Sequence, residues 1–271
     1  MRKRLSTIIL SVVFFVGLGL LAYPTFSDYW NSLHQTRAIS HYREQVAGLN
    51  DVSYEELRAA ARKYNERLLE KPRRFELTQE EQAEYEALLN VSGDGMMGYI
   101  EIPAIGCSLP FYHGTDEVVL QSSVGHIEGS SLPTGGAGTH CVLSGHRGLP
   151  SAKLFTDLDR LTEGDTFVLT VLDETLTYEV DQILIVEPDE VDALNIDPEQ
   201  DYCTLLTCTP YGINTHRMLV RGHRVENEAA DGVRVTADAI QIEPVLVAPM
   251  IAALLLAVIL LVWFLTGRIR K

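Results

Sequence analysis

The sequence predicts a mainly β protein: a closed barrel of short strands, preceded by a helical arm and flanked by two transmembrane helices. Three observations carry this. From about residue 98 the chain breaks into short β-runs separated by Gly, Pro and Asp. Before that, apolar residues recur at helical steps among charged neighbours. Two long uncharged stretches lie towards the ends, at residues 5–27 and 244–267.

Each uncharged stretch is long enough to cross a ~30 Å hydrocarbon core as a helix. The first follows Arg2-Lys3-Arg4, which also fits a cleaved signal peptide. Leu21-Ala22-Tyr23-Pro24 offers no small-x-small cleavage site, which favours an uncleaved anchor. Arg2, Lys3 and Arg4 precede the first span, and Arg268, Arg270 and Lys271 follow the second. The positive-inside rule then places both tails in the cytoplasm and everything between outside, in a two-pass cell-membrane protein.

The arm comes next. Ile39, Tyr42, Val46 and Leu49, then Leu57, Ala60, Tyr64, Leu68 and Leu69, recur mostly at three- and four-residue steps. Asn50-Asp51-Val52-Ser53 interrupts them, and Ser53-Tyr54-Glu55-Glu56 reads as a capping box for the second helix, which Pro72 ends. The stripe is too short for a coiled coil and reads as an arm packed on the next domain. Residues 71–77 form a linker around Arg73-Arg74-Phe75. Thr78-Gln79-Glu80-Glu81 is a further capping box, opening a helix that ends near Leu89.

The β-runs are 98–102, 107–113, 138–143, 166–172, 176–186, 202–207 and 217–225, with a helix at 154–161 and a hairpin connection at 172–176. Seven or eight strands in so short a stretch indicate a closed barrel. The chain thus divides into a tail and anchor (1–27), arm (28–97), barrel (98–226), acidic tether (227–243) and second span with basic tail (244–271).

Without the six basic tail residues, 16 Lys+Arg face 37 Asp+Glu, a formal −21 on the exterior portion. This excludes nucleic acid and direct attachment to anionic lipid, which need basic patches. It suits a substrate that presents lysine, and it serves solubility equally well. Of four cysteines, Cys107 and Cys141 remain open as a pair. Cys203 and Cys208 have odd spacing in one strand and so face opposite ways, which argues against a bond or a zinc clamp between them.

Cys208 ends a strand-like run just before Thr209-Pro210-Tyr211-Gly212, and His146 ends another just before Arg147-Gly148-Leu149-Pro150. Arg217 opens a third. A thiol, an imidazole and a guanidinium on neighbouring strands supply a nucleophile, a proton shuttle and a cation for an oxyanion. His113, His126, His140, His216 and His223 share the β-region, so spacing rather than composition singles out His146. A small buried hydrophobe is the competing reading of Cys208.

These residues carry a specific resemblance. Thr204-Leu205-Leu206-Thr207-Cys208 resembles the sortase signature Thr-Leu-x-Thr-Cys, Ser144-Gly145-His146-Arg147 is similar to that family's His-bearing strand end, and Arg217 falls where its arginine lies. The similarity runs from about Gly98 to Arg224. The two spans and the arm look most like the pilus-assembling class C. The resemblance implies a closed eight-stranded sortase-type barrel and a cysteine transpeptidase acting on a Leu-Pro-x-Thr-Gly-type sorting signal. Cys208 would form a thioester, His146 would move the protons and Arg217 would hold substrate and oxyanion. Thr207 and Thr209 would shape the substrate and oxyanion site, and a pilin lysine would accept the acyl group. No cofactor or metal is implied, because the thiol carries the acyl group.

Many class C members cover the site with a lid bearing Asp-Pro-aromatic. Here the linker lacks that triplet, which leaves Arg74 and Phe75 as candidate lid residues, with Phe75 against Cys208, or leaves an ordinary surface linker. Two other functions stay open: a housekeeping sortase attaching proteins to the cell wall, and a non-enzymatic binding barrel with Cys208 buried.

Overall fold

The computed structural model describes residues 2–227, so the expected second span and nearly all of the tether lie outside them. The described chain divides into two compact units, one ending at Tyr29 and one beginning at Trp30. The first is helical throughout and belongs to α1 (Arg2–Ala47). It contributes the apolar part of one helix long and apolar enough to cross a membrane, with Val12, Val13, Phe14 and Leu21 all exposed.

In the second unit, the end of α1 packs on the barrel. Ile39 and Tyr42 bury themselves with Met96 and Tyr99. The Tyr42 hydroxyl donates to the Met97 carbonyl at 2.8 Å and accepts from the Leu172 amide at 2.8 Å, tying two distant turns of chain to one phenol. Helix α2 (Asp51–Leu69) starts two residues before the expected cap, because Asn50 is extended and its side chain accepts from the Ser53 amide at 2.8 Å. Ser53 is therefore a donor within the first turn, not the cap. Helix α3 (Gln79–Ala87) does carry the expected box between Thr78 and Glu81.

Eight strands close the barrel: β1 (Met96–Ile102), β2 (Cys107–His113), β3 (Val124–His126), β4 (Thr139–Ser144), β5 (Thr166–Val171), β6 (Glu174–Val186), β7 (Asp201–Thr209) and β8 (His216–Arg224). Their order is β1-β2-β3-β4-β7-β8-β6-β5, with β1 returning to pair β5. The β2/β3 and β4/β7 pairs are parallel and the rest antiparallel. Alternation decides what fills the barrel: Cys203 and Leu205 of β7, Val220 of β8, and Phe167 and Leu169 of β5 are all fully buried.

Two expectations give way, and the open question of the cysteines closes. Strand β3 was not among the expected runs; it has three residues, too few to show alternation. The expected 154–161 helix is an irregular segment with a single 3-10 turn at Leu158–Arg160. Leu154 takes a left-handed φ of 39°, which an α-helix cannot accommodate, yet Leu154, Phe155, Leu158 and Leu161 are all buried. All four cysteines are free. Cys107 cannot reach Cys141, because β3 lies between their strands, and Cys141 instead stands opposite Cys203 in the β4/β7 register.

Candidate active site

The site is built where β4, β7 and β8 lie side by side. In the antiparallel β7/β8 pair, Cys208 is directly opposite Arg217. In the parallel β4/β7 pair the last partners are Ser144 and Leu206, and the Gly145 amide then donates to the Leu206 carbonyl at 3.0 Å. Two residues on from Ser144 and Leu206 stand His146 and Cys208, on one level of the sheet. His146, about sixty residues from Cys208 in sequence, is thus brought to the same end of the sheet as Cys208 and Arg217.

Local sequence makes this turn. A Cβ on Gly145 would meet the Phe155 ring at 2.7 Å, so only glycine lets the buried phenylalanine support the backbone beside His146. The Phe155 amide donates to the His146 carbonyl at 3.2 Å. Thr207 is 1% exposed and donates from Oγ1 to the Gly145 carbonyl at 2.7 Å. After β7, the amides of Ile213 and Asn214 both donate to the Pro210 carbonyl, turning the chain back into β8.

What the functional groups lack is as telling as where they stand. Among the described residues, neither the Cys208 thiol nor the His146 imidazole has a hydrogen-bond partner, and both residues are half-buried. Three other histidines are tied down. His113 holds the Gly95 and Leu88 carbonyls, His126 holds Tyr85 and the Ser131 carbonyl, and His140 holds the Asn195 carbonyl and Thr204 Oγ1. Burial pushes His140 down to about 4, so it stays neutral. Arg217 touches only the backbone carbonyls of His216 and Asn214, at 3.2 and 3.4 Å, and pairs with no carboxylate among the described residues. Burial, together with the neighbouring Cys141, drives the Cys203 thiol well above its ordinary range, which leaves it an inert core group.

Cross-strand partners share a face of a sheet. Cys208 therefore lies on the outer face with Leu206 and Thr204 of β7, Leu219 of β8 and Val142 of β4. Val142 and Leu219 are buried there beneath Leu194 of the β6–β7 connection, with Leu206 and Ala193 beside them, forming an apolar floor next to the thiol. Thr207 and Thr209 have the opposite parity, at 1% and 6% exposure. Their side chains frame the site from inside the barrel, not from the face that a substrate would meet.

The linker reaches this same face. Arg74 is 7% exposed; its Nη2 donates to the Leu194 carbonyl and its Nη1 is buried without a partner. Desolvation lowers the Arg74 pKa. A Cβ on Gly129 would clash with the Arg74 carbonyl at 2.2 Å, so linker and β3–β4 connection touch backbone to backbone. Phe75 stays 36% exposed, with the Arg74 guanidinium 4.5 Å from its ring centroid. The buried member of the pair is the arginine. Among the described residues no cluster of three His, Cys, Asp or Glu side chains could hold a metal ion.

The sequence motif contains Gly145 and Arg147 without revealing what they contact, and nothing in it points to Phe155. Their functions depend on contacts with chain that lies elsewhere in sequence, and no local pattern signals them.

Comparison with known proteins agrees with this geometry. A family model described as "Sortase domain" matches residues 100–225. Sortase D of Bacillus subtilis (strain 168) is 33% identical over 131 residues, a match covering 47% of this chain and 63% of the relative, so less than two thirds of that protein is spanned. The crystal structure of sortase C1 from Streptococcus agalactiae is 50% identical, with a TM-score of 0.68, covering 71% of this chain and 100% of that one. Sortase C of Streptococcus pneumoniae is 45% identical, with a TM-score of 0.65, covering 71% of this chain and 98% of that one. Eight strands in one closed order, a thiol, an imidazole and a guanidinium on one level, and these matches lead to one conclusion: the chain belongs to the sortase family.

Proposed function

We propose that this protein is a membrane-anchored cysteine transpeptidase that cleaves an LPXTG-type sorting signal and transfers the acyl group to a lysine amine of a pilin subunit. The observation that carries the reading is the alignment of His146, Cys208 and Arg217 across β4, β7 and β8, with the thiol and the imidazole both unpartnered. Neither group is tied up in a structural hydrogen bond, so both are available to substrate, and the contact between a nucleophile and its base is often looser without substrate.

The steps follow from these positions. Cys208 passes its thiol proton to His146, Sγ attacks the carbonyl carbon of the signal's threonine, and the carbonyl oxygen takes up negative charge that Arg217 stabilises. The C–N bond to glycine breaks as His146 protonates the departing amine, leaving a thioester on Sγ. A lysine amine then attacks the thioester carbonyl, His146 accepts its proton, and an isopeptide bond forms as the thiol is released. Sulfur carries the acyl group only between the two transfers, so the residues need no cofactor for this route.

Half-burial of Cys208 speaks against the non-enzymatic barrel, and the 50% identity to a sortase C1 favours the pilus role over general attachment to the cell wall. We also infer a two-pass topology with the barrel outside the cell, supported by the apolar helix of the first unit and by the basic residues at both ends.

The test incubates the full-length protein with an LPXTG peptide and a lysine-bearing pilin fragment. Mass spectrometry should find the acyl mass on Cys208 and then on the acceptor lysine. Cys208→Ala should give neither product while melting like the wild type. Product formation by Cys208→Ala would remove the thioester mechanism.

A further inference from the structure

Regular pairing of β4 with β7 stops at Ser144 and Leu206, two residues short of those proposed to do the chemistry. Two side chains continue it. On the near side, Thr207 Oγ1 donates to the Gly145 carbonyl at 2.7 Å. On the far side, Arg147 Nη1 donates to Thr209 Oγ1 at 3.4 Å. His146 and Cys208 therefore sit between a 145–207 link and a 147–209 link, each made by a side chain where the backbone ladder has ended.

The far link is well supported. The Arg147 side chain is 10% exposed, and its Nη2 is held by an ion pair with Asp159. Its guanidinium lies 5.9 Å from the Tyr211 ring centroid, in the turn that follows Cys208. Tyr211 in turn presses on the next residue of the His146 turn, where a Cβ on Gly148 would meet the ring at 3.0 Å. The Gly148 amide donates to Thr156 Oγ1 at 3.2 Å, close to Asp159 in the same connection. One arginine thus gathers the histidine turn, the end of the cysteine strand and the segment beyond the histidine.

We propose that Arg147 is a positioning residue for the transpeptidation reaction: anchored by Asp159, it fixes the separation of the His146 and Cys208 segments. This rests on the function proposed above. An exposed ion pair contributes little, but a planar fork that donates in two directions from a nearly buried position fixes geometry that a flexible ammonium cannot. Lysine at 147 keeps the charge and can still pair with Asp159, but it cannot span to Thr209 as well. Misplacing reacting groups by about 1 Å costs on the order of 10²-fold in rate.

The experiment uses full-length protein in detergent, an LPXTG peptide, and the variants Arg147→Lys, Arg147→Met and Asp159→Asn. Arg147→Lys should melt near the wild type, keep KM within about threefold and lose about ten- to a hundredfold in kcat. Asp159→Asn should lose less, and combining it with Arg147→Met should be no worse than Arg147→Met alone, because the two act through one link. Wild-type kcat in Arg147→Lys would overturn the proposal, as would kcat losses that merely follow loss of stability or a defect confined to KM. Failure of the wild type to act on the peptide would instead overturn the transpeptidase reading, and this proposal with it.

Discussion

Thr207→Val isolates one hydroxyl and nothing else of consequence. Valine keeps the shape of the side chain, which is 1% exposed, but it removes the donor that reaches the Gly145 carbonyl at 2.7 Å. Gly145 is itself buried, so its carbonyl loses a partner that water cannot easily replace. Leaving a buried acceptor unsatisfied costs about 1–3 kcal/mol. For a folded unit of this size each kcal/mol moves the melting temperature by about 2–4 °C, so a drop of roughly 2–12 °C is expected. Activity should fall too, because the lost link holds the residue next to His146, and kcat should suffer more than KM. Thr207→Ser keeps the donor and should recover most of the kcat while losing a little packing. Differential scanning fluorimetry and peptide-cleavage kinetics on the three proteins decide it. Unchanged melting and unchanged kcat in Thr207→Val would refute the view that this side chain frames the site.

Three further outcomes are expected. Arg217→Lys keeps the charge but not the planar fork, and should lose about 10²–10³ in rate if the guanidinium contacts the oxyanion; wild-type kinetics would make it a bystander. His140 is held neutral at about 4, so between its unfolded value of about 6.5 and 4 the unfolded chain binds the extra proton. Stability from this group is thus complete above about pH 6.5 and lost as pH falls, by about 3 kcal/mol in all, and melts of His140→Gln should show a shallower acid limb than the wild type. Phe75→Ala, or deletion of residues 73–76, should speed both alkylation of Cys208 and peptide cleavage if the linker covers the site, with a modest loss of stability; equal labelling rates would make it an ordinary linker.

The sequence made the strands legible where turns bounded them. Gly, Pro and Asp punctuation located seven, with edges within a few residues, and Cys107–His113 with none to correct. It was silent on β3, whose three residues owe their strand to neighbours β2 and β4 rather than to any pattern of their own. The helix expected at 154–161 did not form, because Phe155 packs on Gly145 and Leu154 takes a left-handed φ. Within the site, the strand-end positions of His146, Cys208 and Arg217 were readable because strand ends and turn residues are local features. The role of Arg147, the support from Phe155 and the inward facing of Thr207 and Thr209 were not. Each depends on which strand lies beside which, and the parallel β4/β7 pairing joins chain about sixty residues apart.

That pairing has a consequence for when the nucleophile becomes competent. Cys208 and Arg217 are joined by a short connection and can meet as soon as β7 and β8 zip together. His146 is brought beside Cys208 by the β4/β7 pairing, whose contacts have high sequence separation. Such non-local parallel pairings are slow to form, since the entropy of closing a long loop is lost before contacts compensate for it. On the proposed assignment, a chain in which β4 and β7 have not yet paired would carry the Cys208 thiol without its shuttle beside it. Competence would then wait for completion of the barrel, and an immature molecule would not yet react with whatever peptide it met first.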